Sequence, residues 1–454
     1  MTEIRETKFS YKKLATIAIP IAMQGLIGSS LNFVDNLMVG SLGEAELAAV
    51  GASVQIYFIF WMLLFGFTSG SATFLAQYFG AGDLKSIKKT VGFTATVSFV
   101  VGVLFFLASV MVPDLILRIF TNDPKMIELG ASYVRTGAPC FLFLSITVPF
   151  STALRVTHQT KIPLYISVTA FALNTILNYI LIFGNFGAPK MGVVGAALAT
   201  VISRIVEFGI TMYVVFGKKN IVGGKLKDFF GWKKAFIGRI IRNAIPTTIN
   251  EGVWGLGSSC YVAIYARTGV TAFAAVQASN TINQMFVLAA FSIGDAILIL
   301  VGQRIGQGDL DGAYKLAKKL VKIGIVIGLV AGGLLIICAP LLVGLFEFTS
   351  EGMKIARLIL TVFGATMWLN VYCGINVTGV LRSGGDTKFA MIAEMSTVWL
   401  IGVPIAAVMA LVVELPIYLV VLCVKFEEVV KGLIFIKRFV SKKWLNCVID
   451  DMES

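Results

Sequence analysis

The feature that most limits what this chain can fold into is a recurrence: uncharged apolar runs of membrane-spanning length return along nearly all of it. Those at 91–112, 323–345 and 398–413 are the clearest. A bilayer offers no water to an unpaired backbone N–H or C=O, so a segment inside it must be a helix or a strand of a closed barrel. A barrel strand alternates in polarity and spans with about ten residues, whereas a helix needs about twenty. These runs are too long and too evenly apolar for strands. Composition agrees: 57% of residues are hydrophobic and 14% charged, against roughly 45–50% and about 25% in soluble domains. The sequence therefore predicts an all-α polytopic membrane protein. Its spans fall near 13–39, 51–79, 91–112, 130–152, 163–184, 192–216, 237–263, 272–301, 320–346, 355–379, 389–412 and 415–437, twelve transmembrane helices in all.

The net charge of +13 would suit a nucleic-acid partner if it were gathered on one face, but it is distributed otherwise. Most Lys and Arg lie in the two termini and in every second loop, most densely at Lys218, Lys219, Lys225, Lys227, Lys233 and Lys234. The intervening loops are short and poor in basic residues, as at 40–47 with Glu44 and Glu46. This asymmetry is the positive-inside pattern. It predicts a multi-pass protein of the plasma membrane with both termini cytoplasmic, hence an even number of spans, and no nucleic-acid partner. The polar, mixed-charge opening MTEIRETKFSYKK predicts no cleaved signal peptide.

A repeat organises the chain. "AIP" at 18–20 returns at 244–246, and "QYFGAGDL" at 77–84 returns as "QRIGQGDL" at 303–310, both at the same offset. "LRVTHQTK" at 154–161 returns as "LRSGGDTK" at 381–388, a single position further on. One offset held over most of each half predicts two homologous six-helix lobes. With an even number of spans each, they insert in parallel, related by a pseudo-two-fold axis along the membrane normal with a cleft between them. The expected divisions are 1–217 for the first lobe, 218–236 for a basic linker, 237–440 for the second lobe and 441–454 for a tail.

These motifs, in this order, resemble the multidrug and toxic compound extrusion (MATE) family over nearly the whole chain. The likeness rests on G-x-G-D-L after spans 2 and 8 and L-R-x-x-x-x-T-K after spans 4 and 10. Asp35 with Asn36, "GVVGAALATVISR" at 192–204 and "WLIGVP" at 399–404 add to it. The resemblance implies export of organic, cationic and lipophilic compounds by antiport against H⁺ or Na⁺, with no other cofactor. The loop G-x-x-x-D-R-x-G-R-R of the major facilitator superfamily is absent, since the chain reads GAGDLKSIKK.

A charge in mid-bilayer is costly, so acids within spans are functional candidates. They are Asp35, Glu207, Glu251, Asp295 and Glu394. Asp35 sits among Phe33, Val34, Leu37 and Met38, and is expected to hold a proton or Na⁺ reversibly. Asn174 and Asn178 are four apart and share a helix face. Their amide oxygens beside a carboxylate suit a hard monovalent cation, so Asp35, Asn174 and Asn178 are the expected place for Na⁺ should that be the coupling ion. An interhelical hydrogen-bond role for the two amides is an equal alternative. The resemblance points to the same cluster and adds Thr200. The chain departs from some members at position 178, Asn here where they carry a second Asp, which leaves the coupling ion open.

Glu251 breaks the two-lobe symmetry, its counterpart being Gly25. It joins the expected ion-coupling set and, with Asn250 and Trp254, forms the expected contact for an organic cation. The tenth span offers only Asn370, Tyr372 and Asn376 where many members have an acid, so Asn370 completes the substrate set. Arg204 and Glu207 are expected to neutralise each other and lock helices together. Asp295 and Glu394 are expected near helix ends, and Asp83, Asp309 and Asp386 in turns.

The expected protein is a monomeric transporter of small organic cations in the lipid bilayer. The alternative is a lipid-linked oligosaccharide flippase of the same superfamily, whose diphosphate lipid would call for a cleft lined by Arg and Lys. An enzyme is not expected. The only histidine, His158, lies in a loop, and the six cysteines (Cys140, Cys260, Cys338, Cys373, Cys423, Cys447) are scattered without CxxC spacing, so no metal site is expected either.

Overall fold

The structure, a computed structural model, describes residues 11–218, 220–344, 346 and 348–449. Among them run sixteen α-helices and no strand. They are α1 (Tyr11–Gly40), α2 (Glu44–Ala81), α3 (Leu84–Met111), α4 (Pro113–Leu117), α5 (Pro124–Gly137), α6 (Pro139–Val156), α7 (Lys161–Phe183) and α8 (Gly192–Met212). There follow α9 (Lys234–Ala266), α10 (Val270–Gly306), α11 (Leu310–Val343), α12 (Ser350–Ile375), α13 (Thr387–Thr397), α14 (Val403–Leu411), α15 (Ile417–Val424) and α16 (Phe426–Val440).

Ten of the helical segments are long and apolar enough to cross a membrane. The other two predicted spans depart from that pattern for different reasons. Span 7 is the continuous α9, whose apolar run is interrupted by Asn243, Thr247, Thr248, Asn250, Glu251, Ser258 and Ser259. Span 12 is α15 and α16, broken at Lys425 and carrying Glu427, Glu428 and Lys431. The fourth span, predicted as one helix over 130–152, is α5 followed by α6. Asp123 caps the start of α5 by accepting from the Met126 N–H at 2.9 Å, and Pro139 opens α6. Proline has no N–H to donate to the preceding turn, so it starts a helix more readily than it continues one.

The repeat is visible in the elements. Pro20 lies in α1 and Pro246 in α9, and Gln77 and Gln303 are both buried, in α2 and α10. After α2 and α10 the chain turns through Gly82 and Gly308, at φ +78° and +79°, a backbone region that glycine enters without steric cost. The next residue caps the following helix in each case. Asp83 accepts from the Ser86 N–H at 2.9 Å, and Asp309 from the Gly312 N–H at 2.8 Å. Asp309 also takes a bond from Arg304 at 2.6 Å, and these donors hold its carboxyl below the usual carboxylate range. Asp386, in the turn before α13, is gripped by both arms of Arg438 at 2.6 and 2.9 Å.

The chain forms two compact units. The amino-terminal unit is Gln24–Gly252; the carboxy-terminal unit is the chain up to Met23 together with Val253 onward. The boundaries thus fall within α1 and α9, a little beyond each repeat proline.

In the amino-terminal unit α2, α3 and α6 pack through rings. Tyr57 stacks on Phe141 at 4.8 Å, and Phe60 meets Phe105 and Phe141 at 5.3 and 4.9 Å. The first part of α9 lies close against α2. Thr247 Oγ1 and Asn243 Nδ2 donate to the carbonyls of Gly66 and Gly70, each at 2.7 Å, and a Cβ on Gly70 would stand 2.6 Å from Ala244 Cα.

In the carboxy-terminal unit α11 and α12 approach through glycine instead. A Cβ on Gly328 would stand 2.8 Å from Trp368 Cα, and one on Gly332 would run into the carbonyl of Gly364. Small residues spaced by four let helix backbones come this close in lipid.

Candidate functional site

The amino-terminal unit gathers the predicted polar residues into one hydrogen-bonded chain. Asp35 lies in the last turns of α1, half-buried. Asn178 on α7 is fully buried; its Nδ2 donates to Asp35 Oδ1 and also to Asn174 Oδ1 at 3.1 Å. Asn174 Nδ2 in turn donates to Thr200 Oγ1 on α8 at 3.3 Å, and that hydroxyl bonds back to the Ala196 carbonyl at 3.0 Å. The helical period makes the chain possible, because Asn174 and Asn178 stand one turn apart on one face. Asn178 Oδ1 is buried and has no hydrogen-bond partner, a costly state that a cation or a donor would relieve.

Beside this chain lies a cavity of about 60 Å³ lined by Gln24, Ser167, Asn174, Thr200, Arg204 and Glu207, among others. It has room for a few water molecules, so its scale is that of a hydrated ion rather than of a drug. Gln24 Nε2 donates to Ser167 Oγ across it at 3.0 Å. Arg204 and Glu207 are hydrogen-bonded as an ion pair on its wall. The pair lies within α8, one turn apart, and lines the cavity, with the expected mutual neutralisation in place. Tyr133 on α5, whose ring is edge-on to Tyr57 at 6.3 Å, stands near Asp35. Nothing in the sequence pattern around Tyr133 pointed to it.

The other predicted residues are more dispersed. Asn250 is buried and Glu251 half-buried, both in the part of α9 that belongs to the amino-terminal unit. Trp254, 44% exposed, lies just inside the part that belongs to the other unit. Asn370, on α12, donates to Glu428 Oε1 at 2.8 Å.

One expectation is corrected: Asp295 is about three turns inside α10, because the helix continues to Gly306. Glu394 lies two turns from the start of α13, its side chain 14% exposed and 3.8 Å from Lys431. Glu394 therefore belongs to a buried charged group in the carboxy-terminal unit that the sequence reading passed over. Lys431 bonds Glu427 at 2.7 Å, Tyr261 donates to Glu427 Oε2 at 2.8 Å, and Lys425 bonds Glu428 at 2.7 Å. The signal was present in the sequence: K-F-E-E-V-V-K over 425–431 sets acids and bases at i,i+3 and i,i+4 within an apolar stretch. Among the described residues, no three or more His, Cys, Asp or Glu side chains converge as a metal site.

The MatE family model matches residues 20–180 and 251–408, one stretch in each half of the repeat. The chain belongs to the MatE family. It is thus a multi-pass membrane protein of a transporter family. This MatE chain is 26% identical to "Probable multidrug resistance protein YoeA" of Bacillus subtilis, over 90% of its own length and 89% of that protein. It is 25% identical to "Probable multidrug resistance protein NorM" of Thermotoga maritima, over 95% and 93%. Among solved structures, an outward-facing multidrug resistance MATE family transporter matches with a TM-score of 0.85 at 19% identity, over 95% of this chain and 96% of that one. A MOP superfamily transporter from Pyrococcus furiosus, whose binding pocket is described as of reverse polarity, matches at 0.84 and 20%, over the same shares. At those identities the structures speak for the fold alone.

Proposed function

We propose that the chain is a secondary antiporter of the plasma membrane that exports organic, lipophilic cations in exchange for H⁺ or Na⁺. The observation that carries this reading is the carboxylate of Asp35, joined through two buried amides to a hydroxyl on the wall of an ion-sized cavity. Ionised, Asp35 accepts the Asn178 N–H. Loaded, it holds a proton or shares a cation with the amide oxygens of Asn174 and Asn178 and the hydroxyl of Thr200. The buried, unpartnered Asn178 Oδ1 is the natural donor to that cation.

The two lobes then rock in alternation, and loading at Asp35 favours the state that releases substrate outward. Glu251, Asn250 and Trp254 on α9 are the proposed contacts for the organic cation, the carboxylate matching its charge and the indole its flat face. The protein acts as a monomer with both termini in the cytoplasm. The names of its relatives, multidrug resistance proteins, agree with this reading.

An anionic lipid-linked substrate fits the observations less well. Arg204, Lys425 and Lys431 are each already paired with a carboxylate, so none is a spare cation for a diphosphate. Ethidium efflux from proteoliposomes, with a pH gradient and a Na⁺ gradient imposed separately, tests the proposal. Efflux should follow one of the two gradients. Efflux driven by neither would overturn it.

A further inference from the structure

The carboxy-terminal unit holds five charged side chains in its interior, on α13 and around the α15–α16 break: Glu394, Lys425, Glu427, Glu428 and Lys431. Three are acids and two are bases. Lys425 and Glu428 close on each other at 2.7 Å, with Asn370 donating to the same Glu428 oxygen at 2.8 Å. The remaining three divide unevenly. Lys431, with its side chain 7% exposed, gives its ammonium to Glu427 Oε1 at 2.7 Å and stands 3.8 Å from Glu394 Oε1. Two carboxylates on different helices therefore share one ammonium. Tyr261, from α9, donates to the other oxygen of Glu427.

We propose that Glu394, Glu427 and Lys431 form a second proton-exchange site, in the carboxy-terminal unit, which binds and releases one proton in the transport cycle. Two like charges that share a site in a low-dielectric interior do not both stay ionised at no cost, and one proton relieves the pair. The proton belongs to the group rather than to one residue. The inference deepens the antiporter reading and rests on it for its role in transport. The binding of the proton itself does not.

The backbone is shaped to this group. Between α13 and α14 the chain makes a π-turn over Val398–Gly402, a device that inserts a residue into a helix and often marks a functional position. It brings the buried Gly402 against the Tyr261–Glu427 contact, where a Cβ would collide with the tyrosine hydroxyl and approach the carboxylate. The other groups that face the site are Tyr265 on α9, near Glu427, and Cys373 on α12, near Lys431 and all three acids.

The repeat gives the site a place. By the offset of the AIP and G-D-L motifs, Tyr261 is the counterpart of Asp35. By that of the L-R motif, Glu394 is the counterpart of Ser167, which lines the amino-terminal cavity. The second half thus carries titratable groups where the first half has its own site, on different helices.

Infrared pH-difference spectra of the purified, full-length protein in lipid vesicles test this directly, through the C=O band of protonated carboxyls. The wild type should gain such a band on acidification, and Asp35→Asn should keep part of it. Glu394→Gln and Glu427→Gln should each lose that part, and both should shift the pH profile of ethidium efflux. Lys431→Arg should keep the band and displace its midpoint, because a guanidinium distributes its charge differently between the two acids. Should neither Gln variant fold, the Asp35→Asn protein decides, with and without Lys431→Arg. A residual band whose midpoint moves supports the site, and no such band refutes it. A band unchanged in both Gln variants, or wholly lost in Asp35→Asn, overturns the proposal. If wild-type efflux fails under every gradient, the antiporter reading falls while the spectra still judge the site.

Discussion

Asp35 on α1 and Tyr261 on α9 occupy matching places in the two halves of the repeat, and they face different partners. Asp35 is the acid of its unit's network and receives an amide N–H from Asn178. Tyr261 is a donor, and the acid it serves, Glu427, comes from α16. The amides of Asn174 and Asn178 have apolar counterparts, Ile401 and Ile405, by the offset of the L-R motif. The amino-terminal half thus sets the Asp35 carboxylate against neutral amides, and the carboxy-terminal half sets two carboxylates about one ammonium. The difference teaches that a duplicated fold constrains backbone and turns more tightly than chemistry. The glycines and aspartates of the G-D-L turns recur at both places, while the buried charges have moved between helices.

The largest effect that would sharpen this comparison is on stability. Arg204→Met strands Glu207, buried and partnered by that arginine, and should cost about 3–5 kcal/mol. Most of that should return in the double variant Arg204→Met/Glu207→Met. Lys431→Met removes the ammonium that two carboxylates share rather than the partner of one, so its thermal midpoint in detergent should fall further than that of Arg204→Met. Equal midpoints would mean that the two units do not differ in the way described.

A smaller effect separates the packing of the two units. Gly332→Ala drives a methyl into the carbonyl of Gly364 and should lower stability by about 1–3 kcal/mol, the usual cost of overpacking. Its neighbour Gly333 faces open space. Gly333→Ala should therefore be neutral or slightly stabilising, since Ala is the better helix former. Thermal unfolding of the two variants side by side checks the contrast.

The smallest effect lies in the twin turns. Asn caps a helix about as well as Asp, so Asp83→Asn should be close to neutral. Asp309→Asn also loses the Arg304 partner, about 0.2–1 kcal/mol for a partly exposed pair. Because the Asp309 carboxyl is held below its usual range, its contribution is present at neutral pH. It is lost as pH falls through that lowered value. The gap between wild type and Asp309→Asn, read from thermal midpoints over a pH series, should close in acid and stay open at neutral pH. Closure as pH rises would contradict the assignment.

Much of this was legible in the sequence for simple reasons. Long uncharged runs leave no alternative to spanning helices, and motifs at one offset reveal the duplication. Asp35, Asn174 and Asn178 could be grouped because a lone acid in an apolar span and two amides one turn apart are local signals, whereas Thr200 came only from the family resemblance. The charged group around Lys431 was missed although K-F-E-E-V-V-K carries its own spacing, because its third acid, Glu394, lies on another helix and looked interfacial in isolation. Tyr133 and Tyr261 had no local signal, being two among twelve tyrosines until folding brought each beside an acid. The π-turns at Asn376–Leu381 and Val398–Gly402 left no mark that a hydropathy window can read, because an inserted residue changes the phase of a helix and not its polarity.

The central claim is that the titratable charge of Asp35 couples the gradient to export. Asp35→Asn keeps the shape of the side chain and removes only that charge. Ethidium efflux should be measured from proteoliposomes holding this variant or the wild type, under a pH gradient and a Na⁺ gradient in turn. The account predicts that the variant keeps ethidium binding and a thermal midpoint at or above wild type, since a buried charge no longer opposes folding, and that it shows no efflux under either gradient. Wild-type efflux by Asp35→Asn under whichever gradient drives the wild type would contradict it.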